Sequence, residues 1–90
     1  MSKKVYYIAG VARIDGKDIN CYLTVYDTWV TDFSNADIEY FKSIEDAQKR
    51  LLPMKWKMCF GAKTRMRVIY IKNTEGAIVE KVWENFKNGN

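Results

Sequence analysis

At 90 residues the chain has room for one hydrophobic core and no second domain. Its 48% hydrophobic and 14% aromatic content is that of a globular body, and a net charge of +4 inclines it toward acidic partners. The absence of histidine removes Ser-His-Asp and Cys-His nucleophilic sites, together with the commonest general base and metal ligand.

The whole chain, 1–90, reads as a single domain with a frayed tail over 87–90. Met1-Ser2-Lys3-Lys4 leads into an alternating stretch interrupted by Gly10 and Arg13, so no secretion signal is expected there. No apolar run approaches the ~18 residues of a membrane span. Two cysteines far apart, Cys21 and Cys59, do not make a disulfide framework. The expectation is a cytoplasmic protein with both thiols reduced and packed as small hydrophobes.

The first element is a β-hairpin. Val5 to Ile14 and Lys17 to Tyr26 flank Asp15-Gly16, the dipeptide that a two-residue type I′ turn demands. That turn fixes the register: Ile14 opposite Lys17, Arg13 opposite Asp18, Ala12 opposite Ile19, Gly10 opposite Cys21, Ile8 opposite Leu23 and Tyr6 opposite Val25. One face then holds Tyr6, Ile8, Gly10, Ala12, Ile19, Cys21, Leu23 and Val25, which is apolar enough to be the core side. The other carries Tyr7, Asn20, Tyr22, Thr24 and Tyr26.

From Asp27 to Lys42 the periodicity is lost, and the stretch reads as a long connection with one short turn around Asp37 to Phe41. It carries Trp29 and Phe33, which either cap the open end of the core or form a partner-binding loop. A helix follows, with Ser43 as its N-cap and Glu45 and Asp46 in its first turn. Ile44, Ala47 and Leu51 form a buried stripe, extending to Met54 and Met58 if the helix continues, while Glu45, Gln48 and Lys49 face water. Pro53 should stop or kink the helix near Leu52. Residues 54–60 fit either a strand or a kinked helical continuation ending before Gly61, with the continuation preferred.

The last third is a second hairpin, Arg65 to Lys72 and Ala77 to Asn85, around Asn73-Thr74-Glu75-Gly76. Its expected pairs are Ile71 with Val79, Ile69 with Lys81, and Arg67 with Trp83, leaving Met66, Val68, Tyr70, Ile78 and Val82 on the opposite face. The order is ββαββ. The expected fold is therefore α+β: a two-layer arrangement of an antiparallel sheet of two hairpins with one main helix on one face.

Chemistry was read by elimination. Two separated cysteines cannot supply a zinc site, and isolated glycines cannot cradle phosphates. Asp27 with Asp32, or Glu39 with Glu45, could pair for acid-base work, but carboxylates in a polar connection and at a helix start are ordinarily solvated. No catalytic residue, metal or cofactor is expected.

Two surfaces remain. Tyr7, Tyr22, Tyr26, Trp29 and Phe33 offer rigid, amphipathic area suited to a protein partner, while the three tyrosines read equally as core if the helix covers their face, or else as a base-stacking surface. Lys55, Lys57, Lys63, Arg65, Arg67, Lys81 and Trp83 combine cations with an aromatic ring, as single-stranded nucleic-acid binders do. An uncovered sheet face or edge strand could instead take a second copy, giving a homodimer.

Phe41-Lys42-Ser43-Ile44-Glu45-Asp46-Ala47-Gln48, after a connection rich in Trp, Thr, Asp and Phe, resembles small accessory proteins of phages of low-GC Gram-positive bacteria. That resemblance implies an inhibitor of a host nuclease or other defence factor, as anti-CRISPR proteins are. The expectation is thus a non-enzymatic binding module, a protein-directed inhibitor or adaptor acting on a host factor. The alternative is a small basic nucleic-acid-binding domain.

Overall fold

The computed structural model describes residues 4–52 and 65–84. Residues 54–60, Cys59, the tail 87–90 and the cations Lys55, Lys57 and Lys63 lie outside the described part.

The first hairpin forms as expected. β1 (Tyr6–Ile14) and β2 (Lys17–Leu23) pair from Ile14 with Lys17 through Arg13 with Asp18, Ala12 with Ile19 and Gly10 with Cys21, ending at Ala9 with Tyr22. Asp15 and Gly16 both take positive φ, 52° and 78°, the geometry of a type I′ turn. Arg13 and Asp18 form an exposed ion pair at 3.3 Å.

Beyond Tyr22 the expected register fails, and Tyr6 pairs with Phe41 rather than Val25. The cause is a sharp bend at Thr24, whose buried hydroxyl lies 2.6 Å from that of Thr28 and accepts the N–H groups of Tyr26 and Thr28. Asp27 completes the bend in the left-handed region at φ 64°. β2 therefore turns away from β1, and Val25 is left exposed.

The vacated edge of β1 is filled by the connection itself. β3 (Trp29–Val30) folds back on β2, pairing Tyr22 with Val30 and Leu23 with Trp29. β4 (Tyr40–Phe41) then takes the place beside β1, pairing Tyr6 with Phe41 and Tyr7 with Tyr40. A bridge between Thr24 and Ile38 links the two segments. The stretch expected to be irregular thus supplies two strands, each two residues long and too short to show any alternation.

The helix α1 (Ile44–Leu51) starts as its sequence dictates, with the Ser43 hydroxyl accepting the Asp46 N–H at 3.1 Å. Its last residue and its C-cap, Leu52, fall just ahead of Pro53. Ala47 and Leu51 are buried, and Ile44 packs against the same cluster. Gln48, expected to face water, is half-buried and donates to Glu80 at 3.1 Å, tying α1 to the last strand.

β5 (Arg65–Asn73) lies along the other side of β1, and β6 (Ile78–Glu84) lies outside β5. Asn73 shapes the turn between them: its side chain accepts the N–H groups of Glu75 and Ala77, and its carbonyl accepts that of Gly76. The pairing differs from the expected one. Ile71 sits opposite Glu80, Tyr70 opposite Lys81 and Ile69 opposite Trp83, with shifts that pass over Val79 and Val82. A further irregularity beside Val11 and Ala12 passes over Arg67, which puts Met66 in one core cluster with Ile69 and Ile71, not on the opposite face.

The expected two-layer ββαββ architecture is therefore corrected. The described residues form one antiparallel sheet of six strands, ordered β3-β2-β1-β5-β6 with β4 also on β1, and a single short helix. This is a small β-rich fold. No helix in it is long and apolar enough to cross a membrane.

Both sheet faces are used. The inner face, under α1, buries Ile8, Ala12, Cys21, Leu23, Phe41, Met66, Ile69 and Ile71 against Ala47 and Leu51. The outer face buries Tyr7, Ala9 and Ile38, with Tyr22, Val30, Tyr40 and Tyr70 packed around them. Cys21 is a buried free thiol, and burial raises its pKa.

At Gly10 β5 lies too close to β1 to leave room for a side chain. A Cβ there would stand 2.5 Å from the Val68 carbonyl oxygen and 2.6 Å from the Met66 terminal methyl carbon. The methionine can move, but the strand carbonyl cannot without breaking the pairing. Gly10→Ala should destabilise the fold by about 1–3 kcal/mol, read as a lower midpoint in urea unfolding. An unchanged midpoint would show that β1 and β5 can separate freely.

Candidate functional site

The outer face of the sheet gathers most of the described aromatic side chains outside the main core. Cross-strand pairing builds it in rows: Tyr22, Ala9, Tyr70 and Lys81 lie in one, and Tyr40, Tyr7, Lys72 and Ile78 in the next. Strand alternation sends Tyr7 and Ala9 on β1 and Tyr70 and Lys72 on β5 to one side, and the pairing shift that passes over Val79 keeps Ile78 and Lys81 in step with them.

Phe33 closes the cluster from above, its ring centroid 5.0 Å from those of both Tyr7 and Tyr22. Tyr7 lies 6.1 Å from Tyr22 and, in an edge-on arrangement, 5.9 Å from Tyr40. These are the tilted and edge-to-face geometries that ring quadrupoles favour. The Lys72 ammonium sits 5.6 Å from the centroid of the Tyr70 ring on the same face.

The cluster is neither a closed core nor a loose surface. Tyr7 is 3% exposed, Tyr22, Tyr40 and Tyr70 are half-buried, and Phe33 keeps 45% of its surface in water despite its ring contacts. Its lid is fixed by local polar bonds. Asp32 accepts the Ser34 N–H and hydroxyl at 2.9 and 2.7 Å, and Asn35 accepts the Asp37 N–H at 2.7 Å. The Ser34 bonds hold the Asp32 carboxyl below its ordinary pKa.

An ionic clamp secures the ends of the same connection. The Arg50 guanidinium on α1 donates to Glu39 at 2.8 Å and also bonds Asp27. Burial works against its charge, but the bonds to the two carboxylates outweigh this and hold its pKa above the usual arginine value. Asp27 and Glu39, one from each carboxylate pair considered for acid-base work, are thus engaged structurally. Among the described residues no group of three or more His, Cys, Asp or Glu side chains could hold a metal.

The protein-binding residues read from the sequence separate into three places. Tyr7, Tyr22 and Phe33 come together in the outer cluster. Trp29 packs on the opposite side, against the inner core. Tyr26 stands on the bend, 70% exposed and outside the ring cluster. Tyr40 and Tyr70 were missed. Tyr40 lay in a stretch without periodicity, and Tyr70 was assigned to a face without regard to which strand would lie beside it.

Of the alternative nucleic-acid set, Arg67 is half-buried at a pairing irregularity and Lys81 is exposed opposite Tyr70. Arg65 and Trp83 are placed by their backbones in β5 and β6, Trp83 opposite Ile69 rather than Arg67. No family model, no curated protein and no solved structure matches the chain.

The phenols give a pH test of this arrangement. Burial, then the neighbouring Tyr22, Tyr40 and Tyr70, raise the pKa of Tyr7 above 10.0, and burial followed by Tyr22 does the same for Tyr70. With folded pKa values above the unfolded ones, stability is fully present below pH 10.0 and falls as pH rises through the folded values. Tyr7→Phe and Tyr70→Phe should each reduce that alkaline loss, measured as the urea midpoint against pH. Identical profiles for all three proteins would mean these rings titrate as exposed phenols.

Proposed function

We propose that this chain is a non-enzymatic binding module whose working surface is the outer aromatic face, and that its partner is a protein. The observation that carries this is the meeting of Tyr7, Tyr22 and Phe33 on the side away from α1, with Phe33 anchored yet nearly half exposed. Protein interfaces are centred on such packed, amphipathic rings, because little side-chain entropy is lost on docking. The lack of histidine, and carboxylates committed to Arg50 and Ser34, support a role by contact rather than by catalysis.

An inhibitor or adaptor acting on a host factor, such as a defence nuclease, needs only such a surface. A cytoplasmic setting is part of the same proposal and is supported by the free, buried thiol of Cys21. The alternative, a nucleic-acid-binding domain, draws support from Lys72 beside the Tyr70 ring.

The deciding test is affinity capture from a lysate followed by titration of the purified partner. Phe33→Ala should weaken the complex by about tenfold or more with an unchanged circular dichroism spectrum. Asp32→Ala, which frees the turn beneath the ring, should weaken it less. Full binding by Phe33→Ala would remove the outer face from the interaction. Capture of nucleic acid alone, with affinity falling steeply as salt rises, would move the assignment to the alternative.

A further inference from the structure

We infer that the hollow beside Tyr40 receives acidic side chains of the protein partner; this rests on the reading of the outer face as a protein-binding surface. The hollow has a volume of about 510 Å³ and lies between β4, the chain before β1 and the polar side of α1. Lys4, Lys42 and Lys49, all exposed, stand around it, with Asp46, Glu39 and Arg50 in its walls.

Its charge balance sets the chemistry of the occupant. Lys4, Lys42 and Lys49 face Asp46, while Arg50 is already bonded to Glu39 and Asp27. The excess is positive and sits on long lysine side chains that can close around an anionic group. Complementary charge across an interface speeds encounter and selects the partner, even where its net contribution to affinity is modest.

Tyr40 joins this hollow to the ring cluster. It lines the concavity, pairs with Tyr7 across β1 and β4, and packs edge-on against the Tyr7 ring. An aromatic anchor and a basic rim therefore adjoin at the same end of the sheet. A protein segment that rounds the β4 edge, with an apolar side chain for the rings on the side away from α1 and an Asp or Glu for the lysines on the α1 side, matches both.

A nucleic acid matches less well. Phosphate chains follow an unbroken cationic groove, and Asp46 with Glu39 interrupts this one. Base stacking needs open ring faces, whereas the rings around Tyr7 lean on one another at interplanar angles of 44° to 65°.

Fluorescence anisotropy on the full chain tests the assignment, with three labelled probes: a glutamate-rich peptide carrying a central Leu-Phe, its glutamine counterpart, and oligothymidylate of equal charge. The glutamate peptide should bind in a salt-sensitive way and the glutamine peptide should not. Lys42→Glu should weaken binding about tenfold. Lys17→Glu, the same charge change at the hairpin tip, should have less than about a twofold effect. Equal losses for both variants, or no binding of the glutamate peptide, overturn the inference; so does tighter, Lys42-dependent binding of oligothymidylate. If Phe33→Ala abolishes binding while Lys42→Glu is silent, the hollow fails and the aromatic surface stands. If Lys42→Glu is damaging and Phe33→Ala silent, the hollow stands and the aromatic surface fails.

Discussion

Everything in this fold depends on β1 being hydrogen-bonded along both edges. One nine-residue strand pairs with β2 and then β4 on one side, and with β5 along its whole length on the other. A strand in that position must be covered on both faces, since water can satisfy neither its backbone nor its side chains there. Ile8 and Ala12 meet the inner core while Tyr7 and Ala9 meet the outer cluster, and all four are almost completely buried. Gly10 at its midpoint lets β5 approach closely enough for the pairing to continue. β1 is the one strand on which every other part of the described sheet converges, directly or through one neighbour.

Covering the two faces calls for different means. The inner face is roofed by α1, whose stripe is long enough to deliver Ala47 and Leu51 to the core. With no second helix among the described residues, the outer face draws on the connection between β2 and α1. That stretch returns across the sheet end as β3 and β4, lays Ile38 and Phe33 over Tyr7, and is held by Arg50 through Asp27 and Glu39. The clamp ties the connection to the helix, because Arg50 belongs to α1, which roofs the opposite face. Such a partly shielded ion pair adds geometry as well as energy: it fixes where the connection begins and ends.

Much of this was legible in the chain, and what was not has identifiable causes. Asp15-Gly16 determined the first turn, and alternation then gave the register as far as Gly10 with Cys21. Ser43 and the stripe of Ile44, Ala47 and Leu51 gave the helix. Local signals failed where tertiary pairing decided the outcome. Two-residue strands carry no period, so β3 and β4 leave no trace in the alternation, and the pattern alone reads as two hairpins with one main helix on one face. The skipped residues Arg67, Val79 and Val82 shift partners by one, and nothing in an alternating pattern announces them. The candidate site was read by the same logic: Tyr7 and Tyr22 follow from the first hairpin, but Tyr40 and Tyr70 require knowing which strands flank β1. Trp29 was placed with them because it shares their chemistry, yet pairing with Leu23 carries it to the inner side.

The division between the two faces bears on function through scarcity. A domain of 90 residues has few large apolar side chains, and each one left in water forgoes about 1.5–3 kcal/mol of burial. Phe33 touches the rings of Tyr7 and Tyr22 and is flanked in the chain by the hydrogen-bonded turn at Asp32 and Ser34, yet nearly half its surface stays wet. A half-covered ring packed on two tyrosines has less conformational freedom left to lose on docking than a ring free in water. That preorganisation supports the proposal that another protein completes the outer face.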